Sequence, residues 1–256
     1  MIVPLLILCT AMLQEPAKDS SFFQENDGKI AIAAVAATGF AAIFDERIGR
    51  WARQPSVQGD SSRHNFVDAI TVVNEVPLTL GALATYGIGR LTGSSIVSDI
   101  GAHLSESLIA TVAIDETLRI GFGRVRPRSS PDNAFVFRPG SGLTHFDHRS
   151  FPSLHSAVAF ATAAALSEEM RVRDAPARRY LEPALFVAAT IPGFTRIYLD
   201  QHWSSDIVAG SFLGAYLGTR IVRYAHSRRT MVDRILLHAY ALPTDGGVTV
   251  GFSFKQ

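Results

Sequence analysis

The chain has 256 residues, of which 47% are hydrophobic and 18% charged, with a formal net charge of +1. That length supplies one large domain or two small ones, and a near-zero net charge with no long basic run excludes a global field that would hold nucleic acid. The single cysteine, Cys9, excludes an intrachain disulfide framework and a cysteine-based zinc site.

Segment 2–13 (IVPLLILCTAML) has the apolar core of a signal peptide, and a polar stretch follows it at 14–29. No Lys or Arg precedes the run and no small-x-small cleavage site follows it. Residues 1–17 are read as a signal peptide or N-terminal anchor, and the protein as exported, either periplasmic or at the extracytoplasmic face of the inner membrane.

The apolar run 30–44 is shorter than the roughly 20 residues a membrane span needs. Segment 66–89 carries Asp68, Asn74, Glu75 and Pro77. In 99–120, Ile100, Leu104, Leu108 and Val112 make one stripe of an amphipathic helix, interrupted by His103, Glu106, Asp115 and Glu116. Charges inside these segments argue for a domain folded mainly in water and resting on a membrane surface, with a multi-span inner-membrane protein as the alternative.

A polar loop with Pro and Gly covers 127–152, and helices are expected over 154–170, 181–195 and 205–225. The last carries Gly210, Gly214 and Gly218, a bare face against which another backbone can pack closely. In the tail, Val248, Val250, Phe252 and Phe254 alternate beyond a Gly246-Gly247 turn, the pattern of a β-hairpin. The fold expected is mainly α: a single helical bundle over 22–228 with a small C-terminal β-hairpin appendage over 229–256.

Three segments concentrate side chains that bind anions or move protons. The first runs from Arg119 to Arg126-Pro127, the second is Pro152-Ser153-Leu154-His155, and the third joins Thr195-Arg196 to His202 and Asp206. Arg119 and Arg126 lie two helical turns apart if the helix persists that far, and paired guanidiniums present forked donors to a phosphate. Ser153 reads as an N-cap, whose first-turn N–H groups also suit an anion. His202 and Asp206 share a face if helical geometry begins by His202; the carboxylate then accepts from Nδ1–H and leaves Nε2 free. Singly, each residue has a bland explanation: a solvated basic helix end, a simple cap, a surface histidine, an acid favoured by the helix dipole. Their joint occurrence in this order outweighs those explanations.

That order resembles the type-2 phosphatidic acid phosphatase family, whose fold and site are shared with the vanadium haloperoxidases. The likeness covers roughly 100–220, with core motifs over 119–206, and is most specific in TRIYLDQHWSSD, then in FPSLHS. Arg119 stands where the family has lysine, Leu154 where it has glycine and Thr195 where it has serine. The leucine is expected to crowd the turn.

The resemblance implies a metal-independent phosphatase acting on a phosphate monoester or a lipid (pyro)phosphate. It implies that His202 is the nucleophile, Asp206 supports it, and His155 protonates the leaving oxygen. Arg119, Arg126, Arg196, Ser153 and the Leu154 N–H would hold the phosphoryl oxygens, with no metal and no cofactor. Vanadate would bind as an inhibitor, or as cofactor if the chain were a haloperoxidase, a family of generally longer chains. A phosphate- or lipid-binding module disabled at Leu154 and Arg119 is the other alternative. The 128–151 loop, with Phe135, Phe137, Phe146, His145 and His148, is the candidate lining of the entrance.

Overall fold

The protein is described here by a computed structural model that covers residues 21–71 and 74–227, and the backbone alone over 239–244 and 247–252. The expected signal peptide, 1–17, lies outside the described residues. The tail in which a β-hairpin is expected is described at most by its backbone, and the helical architecture does not depend on it.

The body is mainly helical. In chain order the helices are α1 (Asp27–Ala42), α2 (Asp45–Ala52), α3 (Pro55–Gln58), α4 (Ser61–Thr71), α5 (Glu75–Thr92), α6 (Ser95–Phe122), α7 (Leu154–Val172), α8 (Arg178–Tyr198) and α9 (Ser204–Ser227). The apolar segment 66–89 is not one helix. Asn74 adopts extended backbone and its side chain accepts from the Val76 N–H, so the chain restarts as α5. Helix α6 begins under Ser94, whose hydroxyl accepts from Val97, and stops at Gly123 in the left-handed conformation.

The centre is α7, whose alanine-rich surface is buried almost throughout and packs on α6, α8 and α9. Leu104, Leu108 and Val112 of the α6 stripe meet Leu154, Val158 and Ala161 in one apolar cluster, while Phe160 joins Val208 and Phe212 in a second. The glycine face of α9 finds its partner here. A Cβ at Gly210, Gly214 or Gly218 would lie 2.4, 1.9 and 2.4 Å from the carbonyl oxygens of Ser153, Ala157 and Ala161. Each step of four on α9 matches a step of four on α7, so the two helices run parallel in one register at backbone contact. That register brings the start of α9 beside the start of α7 and ties them through the Ser153 N–H to the Asp206 carbonyl, 3.0 Å.

Polar and apolar groups are distributed against the usual sense. Asp115, His103, Glu168 and Glu169 are buried, whereas Ile32, Val35, Leu80, Leu91, Ile109 and Val187 are exposed. No single helix among the described residues is long and apolar enough to cross a membrane; two bent pairs, α1 with α2 and α4 with α5, meet that test by length and composition.

Candidate functional site

One end of the bundle collects the end of α6, the start of α7, the end of α8 and the approach to α9. Arg119 lies in the last turn of α6, and the helix stops at Gly123 rather than running on to Arg126. A Cβ at Gly123 would stand 1.8 Å from the Arg138 carbonyl oxygen, so only glycine permits the turn. Beyond it Arg124 pairs with Phe137 in a short antiparallel bridge, and the Arg126 N–H donates to Asp147 O at 2.9 Å. Arg119 and Arg126 therefore meet by a turn of the chain, not as two positions on one helix.

Both guanidiniums face one space with His155. Burial, and then the positive charges of Arg196, His202, Arg119 and Arg126, push the His155 pKa down to about 2. Burial and the charge of Arg119 lower Arg126 to about 10. The guanidinium of Arg126 sits 4.4 Å over the ring of Phe146 and donates to Gln201 Oε1. The Nε–H groups of both Arg126 and Arg196 are buried with no acceptor among the described residues. Arg119 is more engaged: its Nε donates to Arg149 O at 3.0 Å and one Nη to Glu116 at 2.5 Å. A cluster of cations with unmet donors is what a phosphoryl group satisfies.

His202 is buried just before α9, so it does not share a helical face with Asp206 in the way the four-residue spacing suggests. Its Nδ1 lies 2.7 Å from Ser150 O and 3.5 Å from Asp206 Oδ2. A carbonyl can only accept, so Nδ1 carries the proton and Nε2 keeps its lone pair. Burial lowers the His202 pKa to about 4, against the opposing pull of Asp206. Asp206 in turn accepts from Arg124 at 2.5 Å, Ser150 Oγ at 2.6 Å and the Trp203 N–H at 2.8 Å. Burial raises the Asp206 carboxyl, but Arg124 and His202 outweigh it and hold it below its ordinary value.

Ser153 occupies the N-cap of α7 yet its hydroxyl makes no capping bond; it accepts from Ser156 Oγ at 3.3 Å and is fully buried. Leu154 is the first residue of α7, with helical backbone; among the described residues only Asp174 and Asp200 of the non-glycines have positive φ. Its side chain turns into the apolar core beside Leu108 and Val158, so the turn is not crowded. The Thr195 hydroxyl donates to the Pro192 carbonyl at 2.8 Å, within its own helix.

Four residues that the motifs do not single out belong to this end. Arg124 satisfies all its N–H groups on Asp206, Asp45, Ser205 and Ala134 O. Ser150 supplies the carbonyl that fixes His202. Glu75 places a carboxylate oxygen, otherwise unpartnered, 4.0 Å from His155 Nε2. Gln201 takes a bond from Arg126. Arg124 sits two residues before Arg126, and Glu75 is one of two acids in the apolar segment 66–89, the only local hints either gives.

The PAP2 superfamily profile matches residues 100–230. The chain belongs to that family. All the positions brought together above, apart from Asp45 and Glu75, lie inside the PAP2 match. Among curated relatives, the Lipid A 1-phosphatase of Rhizobium johnstonii is 34% identical over 124 residues, 47% of this chain and 46% of the relative. The Lipid A 1-phosphatase of Porphyromonas gingivalis is 26% identical over 200 residues, 76% of this chain and 38% of the relative. The Lipid A 4'-phosphatase of Bacteroides thetaiotaomicron is 32% identical over 116 residues, 43% of this chain and 46% of the relative. The alignments thus cover less than half the length of each of these relatives. No solved structure matches.

Proposed function

We propose that the chain is a metal-independent phosphatase of lipid phosphates, working through a phosphohistidine on His202. The observation that carries this is the Ser150 carbonyl at 2.7 Å from His202 Nδ1, which leaves Nε2 as a free nucleophile beside a cluster of under-used guanidiniums. The names of the relatives, all phosphatases of a lipid, support the substrate class.

In the first step Nε2 of His202 attacks phosphorus, the P–O bond to the alcohol breaks, and His155 gives its proton to the leaving oxygen. In the second, His155 takes a proton from water, the hydroxide attacks phosphorus, and the P–N bond breaks to free phosphate. The positive charge that His202 gains on phosphorylation is balanced by Asp206. Arg119, Arg126, Arg196, the Ser153 hydroxyl and the Leu154 N–H hold the non-bridging oxygens. Burial is the larger cause of the low His155 pKa and the surrounding cations add to it; a bound phosphate opposes the cations' share and so favours the protonated acid.

Release of orthophosphate from a lipid A-type phosphate, blocked by orthovanadate and indifferent to EDTA, is the expected result. Activity abolished by EDTA and restored by magnesium would overturn the metal-free reading. His155 is tested by leaving group: His155→Ala should lose about 10²–10⁴-fold on an alkyl phosphate and far less on a nitrophenyl phosphate, which needs little protonation. Equal losses on both remove it from the acid role.

We also propose that the helical domain, 22–228, rests its apolar exterior against lipid at the extracytoplasmic face, with Phe135, Leu143 and Phe146 exposed around the site's entrance. The protein should then remain in the membrane fraction through a high-salt wash; release by salt alone contradicts lipid contact. The C-terminal hairpin is proposed as an appendage: antiparallel backbone pairing of Ala239 with Phe252 and Thr244 with Gly247 supports it.

A further inference from the structure

We propose that His103, Glu169 and His226 form a binding site for one divalent transition-metal ion of the zinc type, at the end of the bundle opposite the phosphate pocket. The residues come from three helices, α6, α7 and α9. Their ligand atoms all lie within 4.8 Å of one another. His103 Nδ1 stands 2.5 Å from Glu169 Oε1, and His226 Nε2 stands 3.2 and 3.3 Å from the two oxygens of the same carboxylate. The two imidazole rings meet edge to face at 4.9 Å.

Two imidazoles and one carboxylate are a recognised zinc donor set, leaving a fourth corner for water. Zinc bonds of about 2.0–2.2 Å in tetrahedral geometry put neighbouring donor atoms about 3.3–3.6 Å apart. The His226 contacts already have that spacing, and the shorter His103 contact opens by about 1 Å. His103 and Glu169 are buried, while His226 is exposed and gives the ion a way in.

The placement follows from the helix register rather than from a chance surface encounter. The parallel packing that sets Gly210 over Ser153, Gly214 over Ala157 and Gly218 over Ala161 carries on to set His226 over Glu169. Glu169 is about 24 Å along α7 from Ser153, at 1.5 Å per residue. An ion there would clamp the far ends of the helices that deliver Arg119, Ser153 and Asp206 to the catalytic end.

A cation already competes for this carboxylate. Arg173 pairs with Glu169, lies 3.4 Å from His226 Nε2, and is 3.8 Å from Asp99, to which it can transfer when a metal enters. Glu168 is not a ligand, being held by Arg171 and Arg223.

The test uses the full chain, stripped with chelator and titrated with zinc chloride by calorimetry, with thermal melting in parallel and cobalt as a spectroscopic substitute. One equivalent of zinc should bind at micromolar concentration, raise Tm, and be replaced by cobalt with tetrahedral visible absorption. Glu169→Gln and His226→Ala should each weaken binding at least about 100-fold, because each removes an atom bonded to the ion itself. His226→Ala, at an exposed position, keeps the test valid if Glu169→Gln misfolds. Arg173→Gln leaves every ligand in place and should bind at least as tightly as the parent. No binding to the parent chain, undiminished binding in His226→Ala, or loss of binding in Arg173→Gln overturns the proposal.

Discussion

Replacing His202 with alanine is expected to remove turnover, a loss of at least about 10⁴-fold, and with it any phosphoenzyme trapped by rapid acid-free quench. Asp206→Asn should keep a slow residual reaction, because the Ser150 carbonyl, and not the carboxylate, is the nearest acceptor for Nδ1–H. Acid-labile phosphate accumulating on the His202→Ala protein would show that another residue is the nucleophile. The pH dependence follows from burial. His202 titrates near 4 in the folded chain, so it is neutral and competent above that value. In the His155→Ala protein, where no general acid titrates, kcat/KM on a nitrophenyl phosphate should fall as pH drops through about 4. Stability should change over a different window. An unfolded histidine binds its proton near 6.5, so the unfolded chain holds more protons than the folded one between about 6.5 and 4. The stabilising contribution is therefore complete above about 6.5, is lost as pH falls through that window, and levels off below the folded pKa; thermal melts across it check the sign.

The second large effect concerns Arg124. Its guanidinium lies between Asp45 and Asp206, 2.8 and 2.5 Å away, with all three side chains buried. Arg124→Ala leaves two buried carboxylates near one another without their cation, and the expected loss of stability is about 3–5 kcal/mol. Arg124→Lys should not rescue it, because a single ammonium cannot satisfy two carboxylates, Ser205 and the Ala134 carbonyl together. Arg126→Ala should show the opposite pattern, since its Nε–H has no acceptor among the described residues: large loss of activity, small loss of stability. Denaturation of the two variants side by side separates the roles. Equal stability in both would mean that Arg124 does not hold Asp206 in place.

How much of this was legible beforehand depends on the range of the interaction. The three central helices were readable to within a few residues at most ends, because caps, glycine and apolar periodicity act over a single turn. Helix α7 starts at Leu154 as the Ser153 cap suggests, and α9 runs Ser204–Ser227 against an expected 205–225. The catalytic candidates were readable as a set because their order and spacing are a property of the chain. The partner of the glycine face was not: a bare stripe at Gly210, Gly214 and Gly218 says that something approaches, but only the folded register shows that it is the backbone of Ser153, Ala157 and Ala161.

Reading Leu154 as an obstruction assumed that the turn needs a backbone only glycine adopts. In the fold that residue is already helical and its side chain has a place in the core, which a sequence cannot display because the core is built by Leu104, Leu108 and Val222 from other helices. Charges inside apolar segments were taken as an argument against crossing the bilayer. Asp115 and His103 point inward and Ile109 and Leu91 outward, and the direction of a side chain is set by what packs against its helix. The sequence by itself determined the family and the helical class, and it named the candidate phosphate-binding and proton-moving residues, since these rest on residue type and short spacing. Tertiary structure alone decided that Ser150 fixes the His202 tautomer, that Arg124 binds Asp206 to Asp45, and that Glu75 faces His155. Each of those contacts joins segments far apart in the chain, and no local propensity encodes it.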